Sequence, residues 1–466
     1  MGSTDRFPSP FRVAIVGAGP AGFYAAAHLL RQSDQAIEVD LFDRLPTPFG
    51  LVRGGVAPDH QKIKSVVRQY EKTAQDPRFR FFGNVELGRH LTVEDLRRYY
   101  HAICYTTGAQ TDRPLGIPGE DLAGSHSATA FVAWYNGHPD YRALSFDLSQ
   151  ERVAIVGVGN VAVDVARILC RTPEELARTD IADHALETLR NSRVKEVFLL
   201  GRRGPAQAAF TNPEVKELGE LEDADAFTVP AEVELDSLSR AELERTPDRT
   251  IERKLDILRE MSLPRERKHT KRLTIRFLVS PVALLGDANG RVRAIRLEKN
   301  ELVSDGRGGL RPRPTGQFEE IAAGLVFRSV GYRGVPLPGV PFDEKTSLIA
   351  NVAGRVVEAG SLRPLPGEYA AGWIKRGPSG VIGTNKACAV ETVDHLLEDA
   401  AAGLHLHPPH PTAAEAEAFV RSRQPDAFTY ADWQKLDVLE TAAGERQGRP
   451  RVKFTDVAAM RTAVLR

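Results

Sequence analysis

Residues 12–22 read R-V-A-I-V-G-A-G-P-A-G, and residues 152–162 read R-V-A-I-V-G-V-G-N-V-A. Each copy passes from a β-branched apolar run through a glycine-rich turn into helix-forming residues. That is strand, turn and helix in the order of a dinucleotide-binding unit. In the first copy Gly17 permits the tight turn and Gly19 lets backbone approach a pyrophosphate. Gly22 lets the helix lie close on the strand. The N–H groups at the helix start then face the phosphates. One such fingerprint is often only a structural turn. Two of them, each after a predicted strand and each opening a helix, point to a chain that holds two nucleotides.

The chain has 466 residues, 42% of them hydrophobic, which is room for two to four domains with buried cores. No run approaches the roughly 18 apolar residues of a membrane helix, so no membrane insertion is expected. The first ten residues, M-G-S-T-D-R-F-P-S-P, carry an acid and no apolar core. They read as a floppy tail and not as a signal or transit peptide. Cys104, Cys170 and Cys388 are far apart in apolar contexts and read as buried thiols. With no CxxC, zinc cluster or iron–sulfur ligand set, the expectation is no metal site and a reducing, cytoplasmic compartment. A formal net charge of zero argues against general nucleic-acid binding.

A second strand is predicted over 37–42, closed by Asp43. Asp43 follows Gly22 by 21 residues. An acid there accepts hydrogen bonds from an adenosine ribose and repels a 2′-phosphate, so the first turn suits FAD or NAD over NADP. Residues 45–60, L-P-T-P-F-G-L-V-R-G-G-V-A-P-D-H, hold three prolines and three glycines in sixteen positions. Such a stretch is shaped for close backbone contact. A helix is expected over 61–74, with His60 either capping it or serving a site. A short helix over 92–100 and a strand over 102–106 complete the first half.

The second turn, Gly157–Val158–Gly159–Asn160–Val161–Ala162, has alanine for the third glycine, which keeps helix and strand a methyl further apart. It lacks the ribose-facing acid. Instead a predicted strand over 195–200 ends in G-R-R-G, placing Arg202 and Arg203 at the corresponding tip. Guanidinium groups suit a phosphate dianion by charge and by parallel N–H donors, which favours NADP. A helical insert over 173–190 accounts for a spacing about twice the usual ~20 residues. Asp164, on the largely apolar helix after this turn, is either desolvated near an active site or paired with Arg167 three residues on. Glu214 alone is a first-turn helix acid favoured by the macrodipole.

Residues 217–263 read as acidic, then mixed, and helical. The basic cluster over 264–276 is either a solvated face or a docking patch for an acidic electron carrier. Strands are expected over 273–285, 292–297 and 323–330. The stretch 368–386, E-Y-A-A-G-W-I-K-R-G-P-S-G-V-I-G-T-N-K, precedes a long helix to about residue 402. Its start offers N–H donors and positive potential to a negatively charged group. Beyond 405 come a Pro/His-rich linker and short amphipathic helices, with no legible chemistry.

Several of these segments carry a resemblance. G-A-G-P-A-G at 17–22, P-F-G-L-V-R-x-G-V-A-P-D-H at 48–60, G-N-V-E at 83–86, the segment 204–218 and the segment 368–386 make the chain similar to the adrenodoxin reductase-like family of ferredoxin–NADP⁺ reductases. The resemblance spans nearly the whole chain and departs at Gly54–Gly55, where the family has Phe–Gly. It implies an α/β fold of two Rossmann-like dinucleotide-binding domains. The FAD domain would be discontinuous, over 1–110 and over 334–466 with a C-terminal helical extension, and the NADP domain, 111–333, inserted into it. It implies that Ala21, Asp43, Leu51 and Leu87 line FAD, with His60 near the catalytic face. Arg113 would lie near the second nucleotide, and Glu214 would be a nucleotide-side acid paired functionally with His60. Trp373 and the turn Gly380–Val381–Ile382 would lie at the isoalloxazine and nicotinamide. His60, Glu214 and Asp164 are the candidate catalytic residues, managing at most a flavin proton or the acceptor contact. The implied activity is hydride transfer from NADPH to FAD, then single electrons to a ferredoxin-type iron–sulfur protein, by a monomer or weak dimer. Rival readings are a thioredoxin reductase-type enzyme, against which the missing CxxC counts, a flavin monooxygenase, or a nucleotide-bound regulator without turnover.

Overall fold

The computed structural model describes residues 7–465. Its chain divides into two compact units. One comprises Met1–Val56, His60–Thr111 and Tyr332–Arg466; the other comprises Ala57–Asp59 and Asp112–Gly331. The units change over after Thr111 and after Gly331, where the sequence reading places boundaries after 110 and 333, and Ala57–Asp59 groups with the second unit.

In the first unit a seven-stranded sheet runs in the order Asn351–Val352, Arg355–Val357, Pro364–Ala370, Ala102–Tyr105, Phe11–Val16, Ile37–Phe42, Phe79–Phe82. The last five strands are parallel, and the two at the other edge are joined on by antiparallel pairings. Phe11–Val16 is buried along its whole length. Val13 and Ile15 enter one core and Ala14 and Val16 the other, which is why a β-branched run without alternation suits it. Its two neighbours, Ile37–Phe42 and Ala102–Tyr105, take the chain away in opposite directions, so a crevice opens at its carboxyl end.

The second unit repeats this plan. Its six parallel strands run Ser125–Ser127, Leu325–Arg328, Arg152–Val156, Glu196–Leu200, Lys271–Arg276, Ala224–Thr228. Val153 and Ile155 face a helical layer, while Ala154 and Val156 face a core shared with Leu284, Ile295 and Leu297. Those three belong to an antiparallel meander, Val279–Gly286, Val292–Ser304 and Leu310–Ala322.

Several expected elements differ. The helix over 61–74 is two, Gln61–Lys64 and Val67–Ala74. The Ser65 hydroxyl at the break donates to the Lys62 carbonyl, a local bond that competes with the helix. The insert over 173–190 is likewise split, into Pro173–Leu176 and Asp183–Arg190, with the Thr179 hydroxyl donating to Leu176. The strand over 273–285 is two strands in different sheets, turning where Leu278 takes a φ of 56°. Ala224–Thr228 is a strand inside the stretch read as helical. Leu310–Ala322 was not expected; two prolines and an exposed outer face hide it, both natural for an edge strand. Of the tail, residues 1–6 lie outside the described residues, and Phe7 is buried against Phe11. Among the described residues no helix is long and apolar enough to cross a membrane.

A buried polar cluster crosses the first sheet. Arg12 pairs with Asp40 at 2.5 Å, and Asp40 also receives Arg80 and the Tyr100 hydroxyl at 2.6 Å each. The Arg12 amide donates to His101 Nδ1 at 3.0 Å. His101 is 5% exposed, and its ring stacks on Phe11. Burial, with His405, Arg12 and His407 nearby, pushes its pKa down to about 4. Since the unfolded chain binds this proton below about pH 6.5 and the folded one does not until about pH 4, stability is full above pH 6.5 and falls between these values. At pH 5 the loss attributable to His101 is about 2 kcal/mol. Urea midpoints at pH 7 and pH 5 should therefore separate less in His101→Asn, which keeps an acceptor for the Arg12 amide, than in the parent.

Candidate functional site

At the carboxyl end of Phe11–Val16 the chain turns at Gly17 with a φ of 113°, and the Gly17 amide donates to the Phe42 carbonyl. A Cβ on Gly17 would lie 2.6 Å from the Thr106 carbonyl oxygen, so only glycine closes this turn. At Gly22 a Cβ would meet the Gly17 oxygen at 2.2 Å, and this holds the helix Pro20–Leu30 against the strand. Gly19, the residue before that helix, has nothing within 4 Å of its Cβ position and offers no side-chain cap. The first helical amides are thus left open at the positive end of the helix dipole, a fit for pyrophosphate.

Of the other residues singled out in this unit, Asp43 and Ala21 adjoin that turn. Asp43 accepts from the Ala18 amide at 2.8 Å and the Leu45 amide at 2.9 Å. Burial raises its pKa against the opposing pull of these amides. Leu51 opens the short helix Leu51–Gly54, in which Gly54 is the last residue. Ala21 is buried, and Gly372, just before the short helix Trp373–Arg376, packs on it: a Cβ there would lie 2.6 Å from that of Ala21. Trp373 lies against the Tyr332 ring and donates to the Ser379 carbonyl. Gly380, with a φ of 78°, and the exposed Val381 precede the long helix Thr384–Ala401, and the Val381 and Ile382 carbonyls receive its first amides. Leu87 is half-buried on the other core of the sheet. His60 begins Gln61–Lys64; its carbonyl receives the Ile63 and Lys64 amides, and its ring does not cap the helix. Phe49, Thr106 and Gly372 are contributors that sequence reasoning passed over; the Thr-Gly and Gly-Trp pairs flanking strand ends were the only signals.

In the second unit Gly157 repeats Gly17, with a φ of 133° and a Cβ position 2.2 Å from the Ser329 carbonyl oxygen. Gly159 again has open space and no cap, at the start of Asn160–Cys170. The segment after the arginines wraps this turn: the Ala209 and Phe210 amides donate to the Val158 carbonyl, and the Thr211 amide to Asn160 Oδ1 at 2.9 Å. Val161 packs on the core. Arg202 and Arg203 sit at the tip after Glu196–Leu200, their carbonyls held by the Asn300 side chain and the Leu278 amide. Among the described residues neither guanidinium has an ion pair or a hydrogen bond, which leaves both heads for an anion. The Arg113 amide donates to Gly331, two residues beyond Ser329, and its side chain is exposed.

Asp164 and Glu214 do meet in the structure, around a residue the sequence did not single out as central. Arg167 is fully buried. It pairs with Asp59 at 2.6 Å, Asp164 at 2.6 Å, Glu214 at 3.1 Å and Glu217 at 3.5 Å. Burial opposes its charge, but Asp164 and Asp59 lead the groups that raise its pKa. Asp164 is both buried and paired with Arg167. Arg171 adds a 2.7 Å bond to Asp59, so two arginines of this unit hold that carboxylate.

The basic stretch over 264–276 is divided. Arg265 and Arg272 lie over the Phe227 ring, and Arg276 pairs with Glu232 and Glu319. The three cysteines are buried and free, and burial pushes the Cys104 and Cys170 thiols up to about 12, which suppresses thiolate chemistry.

Residues 11–198 match the family model of pyridine nucleotide-disulphide oxidoreductases. The chain is 49% identical over 459 residues to the NADPH-ferredoxin reductase FprA of Mycobacterium tuberculosis, covering 97% of this chain and 98% of that one. It is 43% identical over 472 residues to the human mitochondrial NADPH:adrenodoxin oxidoreductase, covering 98% and 94%. The solved structure of Mycobacterium tuberculosis FprA in complex with NADPH is similar with a TM-score of 0.91 and 49% identity, covering 98% of this chain and 100% of that one.

Removing Arg167 strands buried carboxylates. Arg167→Met should lower stability by about 3–5 kcal/mol, the usual cost of breaking a buried ion cluster from one side. Arg171→Met, at a partly exposed site where Asp59 keeps Arg167, should cost clearly less; chemical denaturation of both variants measures the difference.

Proposed function

This chain belongs to the adrenodoxin reductase-like family of ferredoxin–NADP⁺ reductases, and from that premise we propose that it oxidises NADPH and reduces a ferredoxin-type iron–sulfur protein through bound FAD. Bound FAD would supply hydride acceptance and one-electron release, chemistry that no side chain provides. The protein binds and orients. Gly17, Gly19, Ala21 and Gly22 hold the FAD pyrophosphate at the first turn, Asp43 meets its ribose, and Leu51 and Leu87 give it apolar contact. Trp373 with Gly380, Val381 and Ile382 flanks the flavin and nicotinamide rings. Gly157, Val158, Gly159, Asn160 and Val161 hold the NADP pyrophosphate. Arg202 and Arg203 take its 2′-phosphate, with Arg113 turned toward the same nucleotide. His60 is the residue that holds a proton on the flavin side. Asp164 and Glu214, both tied to Arg167, act by fixing the helices they sit on.

One observation carries this reading. Two open helix N-termini follow two buried strands, and one has a carboxylate fixed beside it while the other has two unpaired guanidiniums at its neighbouring strand tip. A 2′-phosphate is repelled by the first arrangement and attracted by the second.

Losing either arginine should cost about tenfold to a hundredfold in NADPH affinity, so Arg202→Ala combined with Arg203→Ala should raise the KM for NADPH by at least that much while leaving turnover with NADH nearly unchanged. Steady-state cytochrome c reduction in the presence of a ferredoxin, with each nucleotide in turn, reads this out; equal loss with both would refute the assignment. Anaerobic NADPH should also bleach the flavin absorbance of the parent within its turnover time, whereas a regulator without turnover would keep its flavin oxidised.

A further inference from the structure

The C-terminal helix Tyr430–Glu445 carries a carboxylate with no exposure at all, Glu440. Its two oxygens receive both terminal nitrogens of Arg53, at 2.8 and 2.5 Å, together with Arg451 at 3.0 Å and the Phe454 amide at 2.8 Å. Burial pushes its pKa up, but Arg53, then Arg451 and the Phe454 amide, bring it below the ordinary carboxylate value. The Arg53 guanidinium also lies 5.1 Å from the centre of the Trp433 ring, which meets Phe49 edge-on. Lys453 donates to the Arg53 carbonyl. One side of Arg53 is thus gripped entirely by the C-terminal region.

The other end of the same short segment touches the first glycine turn. The Phe49 amide donates to the Ala18 carbonyl at 2.8 Å. Phe49 has a φ of 83° and Gly50 a φ of 49°. A positive φ is unfavourable for a bulky aromatic residue and persists only where its surroundings hold it. The conformation brings Gly50 so close that a Cβ there would lie 2.9 Å from the Gly19 Cα. Residues 49–53 are therefore wedged between the turn and the C-terminal helix, all within the first unit.

A buried ion pair is weak evidence for stability, since apolar residues of similar volume often serve as well. A bidentate pair does fix geometry, because the planar fork of arginine accepts one orientation of a carboxylate. We propose that Glu440 is a positioning residue for FAD: by orienting Arg53 it holds Phe49 and Gly50 against Gly19 and keeps the pyrophosphate turn in its binding shape. This gives the C-terminal helices, where the sequence shows no chemistry, a part in cofactor retention. It rests on the first turn being the FAD site.

The test compares FAD release from purified holoenzymes on dilution, read as recovered flavin fluorescence, below the unfolding midpoint of each. Glu440→Gln should release FAD about tenfold faster or more, the scale of losing one charge-assisted hydrogen bond. Gly19→Val, whose side chain enters space that holds no protein atom, should also lose FAD. A lowered midpoint in Glu440→Gln with release at the parent rate would show a purely structural carboxylate and overturn the proposal. Parent-like retention in Gly19→Val would instead overturn the site assignment, and this inference with it. Should Glu440→Gln not accumulate as folded protein, Arg53→Lys carries the same test, since it keeps the charge and loses only the fork.

Discussion

Both units hang on one close approach, a strand-end glycine pressed onto the carbonyl of a residue far away in sequence. Gly17 lies on Thr106 and Gly157 on Ser329. In each case the partner is the residue just past the neighbouring parallel strand on the far side of the topological switch. Any side chain at the glycine would drive those strands apart. The sheet therefore sets the turn, the turn sets where the helix starts, and the uncapped helix start is where an anion is favoured. Nucleotide chemistry in this chain is a consequence of sheet topology before it is a matter of particular side chains.

With the turns alike, selectivity falls to what stands beside each. Asp43 is built into its turn: two backbone amides fix its oxygens, so its negative charge has one position. The arginines are held differently. Their carbonyls are tied down by Asn300 and Leu278 while their heads carry no partner among the described residues. On the proposed reading, one site excludes a phosphate by a fixed charge and the other recruits it with two waiting donors.

Much of this was legible from spacing. The strand over 37–42 is found residue for residue, because a run buried on both faces and closed by an acid leaves little alternative. The arginine tip was legible because a parallel strand must end where its neighbours end. The hub at Arg167 was not. Its partners lie 3, 47, 50 and 108 positions away, and helical spacing exposes only the first. The meander was half-read, since Leu310–Ala322 shows one exposed face and two prolines, a pattern that sequence alone cannot tell from a loop. Glu440 was invisible for a related reason. A glutamate on an amphipathic helix is ordinarily solvated, and only the fold reveals that this one faces Arg53.

The strand order has a further consequence, for synthesis of the chain on the ribosome. Ala102–Tyr105 pairs on one side with Phe11–Val16, made earlier, and on the other with Pro364–Ala370, made only after the whole second unit. At translation rates of about 5–20 residues per second, the inner strand of the first sheet waits on the order of 10–50 s with one edge bare. Unpaired strand edges invite association with other chains. For that interval the first unit is a partial sheet with an open edge, the stage of synthesis at which shielding from other chains matters most.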